Sequence, residues 1–227
     1  MKMKTLLLLS SILLITSFTF QKKTRVVFFG DSITELGARP GGFIKRIDSL
    51  SKLDKRTDRF EFVGAGVGGN KVYDLYLRME KDVLDKDPDV VVVYIGVNDV
   101  WHKTLTGTGT DPDRFERFYQ AILNKLKERN IKAIICTPAV IGEKKDGDNA
   151  QDADMNKYSN IVRSLAEKNN VKLVDLRKKF MEYYTKNNPD NLEKNILTYD
   201  RVHMNDKGNE VIAELMWEKL RAMSREP

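Results

Sequence analysis

Three residue types in this sequence could together carry out proton transfer and nucleophilic attack. Asp200 and His203 lie three positions apart, which lets the carboxylate reach one imidazole nitrogen and leaves the other facing outward as a base. The chain has only two histidines, so few general bases are available. Ser32 follows Gly30 and Asp31 and supplies a hydroxyl that such a base could activate. The Gly-Asp-Ser tripeptide alone is weak support, because Asp and Ser also favour helix N-caps.

A glycine-rich segment at residues 64–70 offers backbone N–H groups. Three of its glycines satisfy the G-x-G-x-x-G pattern of dinucleotide-binding proteins. That function also needs an acidic residue at the end of the next strand, whereas Asp87 and Asp89 lie at its start. A glycine-rich turn can instead bring backbone N–H groups close to a developing negative charge. The sequence favours this second use over nucleotide binding.

A side-chain amide, that of Asn98, follows the apolar run 90–95. The side-chain amide of Asn98 could point at the same position as those backbone N–H groups, although Asn98 and Asp99 also suit an ordinary turn. Trp101 and His102 come next. His102 is a candidate substrate contact or an alternative base, and Trp101 suits either stacking on a sugar ring or burial in the core.

Short apolar, β-branched runs alternate along the chain with longer amphipathic segments. This alternation predicts an α/β fold with a parallel sheet, in which ligands bind beyond the carboxyl ends of the strands. The run 90–95 is apolar throughout, as expected for a central strand buried on both faces. Two long polar stretches, 102–113 and 139–155, follow strands and are expected to overhang the ligand-binding edge. The predicted strands are 24–29, 60–63, 90–95, 131–137 and 171–174, and helical spacing occurs at 72–84, 115–126, 161–165 and 211–220.

The overall composition suits one globular domain. The 227 residues are 41% hydrophobic and 32% charged. The formal net charge is +6, but charges of both signs alternate along the chain, which argues against a nucleic-acid partner. The single cysteine, Cys136, lies in an apolar run, leaves no partner for an internal disulfide and is expected to be buried.

The N-terminal residues differ in composition from the rest. Two lysines precede an apolar run at residues 6–15, as in a secretory signal peptide, whereas a membrane span needs about 20 apolar residues. Residues 1–20 are therefore predicted to be a signal peptide and residues 21–227 the mature domain, secreted or periplasmic and without a stable membrane span. Phenylalanines occupy the expected cleavage region, so an uncleaved N-terminal anchor stays an alternative.

Four segments taken together resemble the SGNH hydrolase family, also called GDSL esterases. The blocks of that family centre on Ser in Gly-Asp-Ser, a glycine, Asn in Gly-x-Asn-Asp and His in Asp-x-x-His. This sequence has the four blocks in that order, at Ser32, Gly69, Asn98 and Asp200 to His203. The resemblance spans about residues 25–220, and Gly68 stands where relatives often carry a serine. It implies a three-layer α/β/α sandwich with a five-stranded, parallel, flavodoxin-like sheet.

The resemblance also implies roles for individual residues. The implied catalytic residues are Ser32, Asp200 and His203. The implied oxyanion hole consists of the N–H groups of Ser32 and Gly69 and the side-chain amide of Asn98. Candidate substrate contacts are Asp31, Trp101 and His102. No metal or cofactor is implied.

The implied activity is hydrolysis of carboxylic esters through an acyl-enzyme. The expected substrates are short acyl esters, above all acetyl esters, of carbohydrates or small molecules. Two alternatives stay open: a lysophospholipase or thioesterase of the same family, and a non-catalytic glycan-binding relative. The intact Asp-x-x-His block argues against the second, because a protein that only binds has no need of a base.

Overall fold

Parallel strands form the centre of the fold. The computed structural model describes residues 22–56, 59–145 and 147–223. The strands within these ranges are β1 (Thr24–Gly30), β2 (Phe60–Gly66), β3 (Val90–Tyr94), β4 (Lys132–Cys136) and β5 (Lys172–Val174). They pair in the spatial order β2-β1-β3-β4-β5, and each pair is parallel. This is the flavodoxin-like order, so the predicted five-stranded sheet is confirmed.

Helices cover both faces of this sheet. Those within the described ranges are α1 (Ser32–Gly37), α2 (Phe43–Leu53), α3 (Val72–Asp82), α4 (Val97–Leu105), α5 (Pro112–Glu128), α6 (Asp152–Asn169), α7 (Leu176–Asn187) and α8 (Asp206–Met223). α2 packs against α8, while α3 packs against α5, which in turn contacts α6. Both groups also contact strands. The predicted three-layer α/β/α sandwich is therefore confirmed.

The central strand is the rigid support of the fold. Every residue of β3 is buried, as the apolar run predicted. Its neighbours hold it in register, with Val92 opposite Phe28 of β1 and Ile134 of β4. Full burial of one such aliphatic side chain contributes about 1.5–3 kcal/mol, so the ends of these strands form a stable platform for the loops beyond them.

Several elements differ from their predicted bounds. β2 continues to Gly66, because residues 64–66 pair with residues 28–30 of β1. The stretch 102–113 was expected to be a loop, but α4 extends to Leu105 and α5 begins at Pro112. α4 forms because Val97 and Val100 are buried on one of its faces. No helix was predicted at α1, α2 or α7, although the buried residues of α2 have helical spacing.

Three further sequence predictions concern the N-terminal segment, membrane spans and the cysteine. The predicted signal peptide, residues 1–20, lies outside the described residues. In the described part of the chain, no helix is both long enough and apolar enough to cross a membrane. Cys136 ends β4 and is buried, as predicted, and this burial raises the pKa of its thiol.

Candidate active site

Ser32, His203 and Asp200 form a continuous hydrogen-bonded chain. The Ser32 Oγ atom lies 2.9 Å from His203 Nε2, and His203 Nδ1 lies 2.6 Å from Asp200 Oδ2. Ser32 and His203 are 171 positions apart in the sequence, so only the fold brings them together. In this arrangement one imidazole nitrogen can take the hydroxyl proton while the carboxylate holds the other. The three residues predicted to be catalytic thus lie together, with His203 in contact with both of the others.

The turn between β1 and α1 presents Ser32 as the first residue of a helix. Asp31 is the N-cap of α1, and its Oδ1 atom accepts a hydrogen bond from the Ile33 N–H at 3.0 Å. Gly30 is needed at the strand end, because a Cβ there would lie 2.2 Å from Thr34 Oγ1. Asp31 is buried, and burial raises its pKa to about 7. This position favours a role in holding the turn rather than the predicted contact with substrate.

The segment that carries Asp200 and His203 is held by hydrogen bonds to its own backbone. Asp200 Oδ1 accepts from the N–H groups of Val202 at 3.1 Å and of His203 at 2.7 Å. Burial raises the pKa of Asp200, but the hydrogen bonds from His203 and Val202 outweigh that effect and bring the pKa below its ordinary value. The carboxylate therefore stays charged at neutral pH, which is the state that stabilises an imidazolium.

A buried carboxylate anchors the chain just before Asp200. Glu143 is fully buried and accepts hydrogen bonds from the N–H groups of Ile196, Leu197 and Thr198 at 2.5–2.7 Å. Glu143 belongs to the long connection between β4 and α6 that was predicted to overhang the ligand-binding edge. That connection therefore supports the segment that carries Asp200.

The glycine-rich loop after β2 lies beside Ser32. Gly69 adopts a φ of +75°, in the left-handed region that favours glycine. The Gly68 N–H donates to Glu35 Oε2 at 2.9 Å, and a Cβ at Gly68 would lie 3.9 Å from Ser32 Cβ. Among the residues that the structure describes, the N–H groups of Ser32 and Gly69 have no hydrogen-bond partner. Both are free to donate to a substrate oxygen.

Asn98 reaches the same loop from α4. It is buried, and its Nδ2 atom donates to the Asn70 carbonyl oxygen at 3.0 Å. Gly96, with a φ of +126°, turns the chain from β3 into α4. The Asn98 amide has a second N–H to offer. The structure gathers Ser32, Gly69 and Asn98 around one loop, and their joint role as an oxyanion hole stays a prediction.

His102 and Trp101 also lie on α4. A Cβ at Gly69 would be 4.0 Å from His102 Cε1, so His102 borders the glycine-rich loop. Burial, and next the charge of Lys71, lower the pKa of His102. Trp101 is partly buried and packs against the core. The imidazole that contacts the serine is that of His203, while contact of Trp101 and His102 with substrate stays a prediction.

Four residues at this site were not predicted from the sequence, and for all but the tyrosine the reason is that their contacts join distant parts of the chain. They are Glu35, Arg78, Glu143 and Tyr199. Tyr199 is 50% exposed, and its ring stacks on that of His203 with centroids 5.9 Å apart and planes 19° apart. The signal that could have identified it is an aromatic residue directly before the Asp-x-x-His block.

The glycine-rich loop is poorly suited to cradle a phosphate group. Such a cradle uses several successive N–H groups, and that of Gly68 already donates to the Glu35 carboxylate. Within residues 22–56, 59–145 and 147–223, no three His, Cys, Asp or Glu side chains are grouped as a metal site would require. The arrangement instead suits attack by an activated serine on a carbonyl carbon.

Known proteins that resemble this chain include ester hydrolases. A profile of the GDSL-like Lipase/Acylhydrolase family matches residues 28–211. The crystal structure of an acetyl xylan esterase, AlAXEase, is 59% identical, covers 86% of this chain and 99% of its own, and superposes with a TM-score of 0.85. An acetylxylan esterase of Geobacillus stearothermophilus is 29% identical over 205 residues, which are 83% of this chain and 90% of that protein. The uncharacterized lipoprotein YqeF of Bacillus subtilis (strain 168) is 25% identical over 209 residues, 83% of this chain and 86% of that protein.

Solved structures of a Geobacillus stearothermophilus acetylxylan esterase include three that are described as catalytic mutants. Each has a serine, an aspartate or a histidine replaced by alanine. Its mutated aspartate and histidine lie three positions apart, as Asp200 and His203 do in this chain. One of these structures, 28% identical, covers 87% of this chain and 94% of its own with a TM-score of 0.77. The chain therefore belongs to the GDSL-like lipase/acylhydrolase family, the SGNH hydrolases, and it is an esterase.

Proposed function

We propose that this esterase removes acetyl groups from acetylated carbohydrates, with Ser32 as its nucleophile. The observation that carries the proposal is the hydrogen-bonded chain from Ser32 through His203 to Asp200, beside the N–H of Gly69, which has no hydrogen-bond partner in the described part of the chain. The relatives support the substrate class, because the solved structure at 59% identity and the Geobacillus stearothermophilus protein are both named as acetylxylan esterases.

The first half of the reaction forms an acetyl-enzyme. His203 Nε2 accepts the proton of the Ser32 hydroxyl as Oγ bonds to the acetyl carbonyl carbon. Asp200 stabilises the imidazolium that results. When the tetrahedral intermediate collapses, the ester C–O bond breaks and His203 returns its proton to the departing sugar oxygen. The products are a free sugar hydroxyl and acetyl-Ser32.

The second half regenerates the enzyme by the same proton transfers. His203 takes a proton from water, whose oxygen attacks the acetyl-Ser32 carbonyl carbon. Collapse of the second tetrahedral intermediate breaks the bond to Ser32 Oγ, which recovers a proton from His203. Acetate is released.

Charge on the carbonyl oxygen develops in both halves. The N–H groups of Ser32 and Gly69 and the Asn98 amide would donate to this oxygen. Such donors are most effective when they are fixed before the reaction begins. α1 fixes the N–H of Ser32, the left-handed turn fixes that of Gly69, and burial on α4 fixes Asn98.

Tyr199 is the side chain best placed to bind the sugar. Its exposed ring lies beside His203, and the C–H groups of a pyranose ring can pack against an aromatic face while the phenol bonds to hydroxyl groups. A cleft of about 310 Å³ next to it is lined by Leu36, Arg39 and Tyr199, among others. Trp101 and His102, bordering the other part of the site, are further candidates.

The site of action proposed for the protein is outside the cytoplasm, after removal of residues 1–20. The basic and apolar N-terminal sequence supports this. N-terminal sequencing of the protein recovered from the producing cells and their medium tests it. A start near residue 21 is expected, and a retained Met1 in a membrane fraction would point to the uncleaved anchor.

Hydrolysis of a nitrophenyl acetate by the mature protein and by Ser32→Ala tests the catalytic assignment. Turnover by the first protein alone is expected, and equal turnover by both would exclude Ser32 as the nucleophile. A panel of acetylated xylan, pectin fragments, lysophospholipid and acyl-thioester then tests the substrate. Preference for either of the last two would replace the carbohydrate assignment, and binding of glycans without turnover would identify a non-catalytic relative.

A further inference from the structure

Arg78 of α3 lies beneath the glycine-rich loop and contacts three segments of the site. Its Nη2 atom donates to the carbonyl oxygens of Gly30 at 2.8 Å and Ala65 at 3.0 Å. Its Nε atom donates to Asn70 Oδ1 at 2.6 Å. The guanidinium carbon is 4.6 Å from the centre of the Phe29 ring, and the side chain is only 18% exposed. One guanidinium therefore joins the ends of β1 and β2 to the loop.

Asn70 connects these contacts to the oxyanion donors. It directly follows Gly69, and its carbonyl oxygen accepts the hydrogen bond from Asn98. On the opposite side of Gly69, the Gly68 N–H is fixed by Glu35. Gly69 is thus flanked by two held residues, and one of the two is held by Arg78.

We propose that Arg78 is a positioning residue for ester hydrolysis, which fixes the Gly69 N–H and the Asn98 amide relative to Ser32 by holding Asn70 against the end of β1. This inference rests on the proposed function of Ser32. Sites of this kind need their donors within about 0.5 Å of the productive geometry, and loss of one whole donor costs about 10²–10³ in rate. A variant that loosens the loop but keeps every donor should therefore have a kcat about 10- to 100-fold lower than wild type.

The guanidinium group is suited to this role in a way that an ammonium group is not. Arginine presents five N–H donors in a planar, rigid fork, whereas lysine presents one nitrogen on a flexible stem. Arg78 uses two different nitrogens, Nη2 for the carbonyl oxygens of Gly30 and Ala65 and Nε for Asn70, and a single ammonium nitrogen is not expected to keep all three bonds. The remaining hydrogen bond of Arg78 runs from Nη1 to Asp82 Oδ2 at 2.8 Å. This carboxylate balances the positive charge of the guanidinium group.

The test compares Arg78→Gln, Arg78→Lys and Asn70→Ala in hydrolysis of a short acetyl ester. Arg78→Gln should lower kcat 10- to 100-fold with KM within about threefold of wild type, because the loss falls on the transition state. Arg78→Lys should recover only part of kcat. Asn70→Ala removes the link but keeps the bonds of Arg78 to Gly30 and Ala65, and it should lower kcat about tenfold. The acid limb of the pH profile should not move, since Asp200 and His203 keep their contacts.

Arg163→Gln is the matched control. Arg163 also forms a partly buried guanidinium contact, two hydrogen bonds to Asp175 at 2.8 and 2.9 Å, but it does not contact the loop. This variant should lose thermal stability and keep kcat. An equal loss of kcat in Arg163→Gln and Arg78→Gln would overturn the proposal in favour of general loosening of the fold.

If the Arg78 variants do not fold, Asn70→Ala tests whether Arg78 positions the glycine-rich loop. Wild-type kcat in Asn70→Ala would refute the positioning role. The Ser32→Ala variant separates this failure from that of the proposed function. If the parent protein has no hydrolysis that depends on Ser32, the proposed function fails. If Ser32→Ala is inactive while Asn70→Ala is fully active, only the inference about Arg78 fails.

Discussion

Replacing Asp200 by asparagine isolates the carboxylate that holds the His203 imidazole. Asp200 Oδ2 lies 2.6 Å from Nδ1, while Oδ1 accepts two backbone N–H groups. Asparagine keeps one oxygen for those backbone groups, so the segment should keep its conformation. Its NH₂ group would face Nδ1, however, and favour the tautomer that carries the proton on Nε2. That tautomer cannot accept the proton of Ser32.

The size of the effect follows from this change of tautomer. A carboxylate-to-amide change in a buried triad costs about 10⁴ in kcat, or about 5.4 kcal/mol at about 1.36 kcal/mol per tenfold. The Asp200 side chain is 38% exposed, so water can partly replace the lost hydrogen bond. We therefore expect a loss of roughly 10²- to 10⁴-fold in kcat, about 3–5 kcal/mol.

The assay is steady-state hydrolysis of a short acetyl ester between pH 5 and pH 9, with a thermal melt of each protein. The expected result for Asp200→Asn is a low kcat with an unchanged melting temperature. Asp206→Asn is the matched control, because this nearby carboxylate is 94% exposed and pairs with Arg46 away from the imidazole. A wild-type kcat in Asp200→Asn would refute the role of Asp200 in orienting His203. An equal loss of kcat in Asp206→Asn would mean that the change of net charge, and not the contact with His203, lowers the rate.

Three other predictions concern the turn below Ser32 and the sugar contact. Because burial raises the pKa of Asp31 to about 7, the folded protein keeps a proton there that the unfolded chain releases above about pH 4. The contribution of Asp31 to stability should therefore fall as the pH rises from about 4 to about 7. Asp99, whose pKa burial also raises to about 7, adds a similar contribution, so Asp31→Asn should reduce the slope in urea titrations without abolishing it; identical slopes would contradict this. Gly30→Ala should destabilise the fold by about 1–3 kcal/mol or more, since its Cβ would meet Thr34 and the Tyr94 carbonyl oxygen at 2.2 and 2.3 Å; an unchanged urea midpoint would refute it. Tyr199→Ala should raise KM several-fold for acetylated xylo-oligosaccharides but not for ethyl acetate. Tyr199→Phe, which keeps the ring and loses the phenol hydroxyl, should have a smaller effect. An equal rise for both substrates would mean that Tyr199 positions His203 instead.

The sequence alone was sufficient for the sheet and for the residues of the candidate triad. The strand runs are apolar and β-branched, and their order along the chain limits how a parallel sheet can be wound. Ser32, Asn98 and the Asp200–His203 pair lie where strands end or in a short block, so their residue types and local spacing were enough to make them candidates. α4 was missed because polar residues interrupt its buried face, and the N-terminal bounds of the mature protein stay a prediction.

The supporting contacts required the tertiary structure. Glu143 meets backbone groups 53–55 positions away, and Arg78 meets Gly30 48 positions away. Glu and Arg at such places look like ordinary surface charges in a sequence, since only packing buries them and supplies their partners. The structure likewise showed that Asp31 is buried and caps α1, and that the ring of Tyr199 is exposed beside His203. Residue type and spacing thus determined which groups could react, while long-range packing decided how they are held, because hydrogen-bond partners far apart in sequence leave no local pattern.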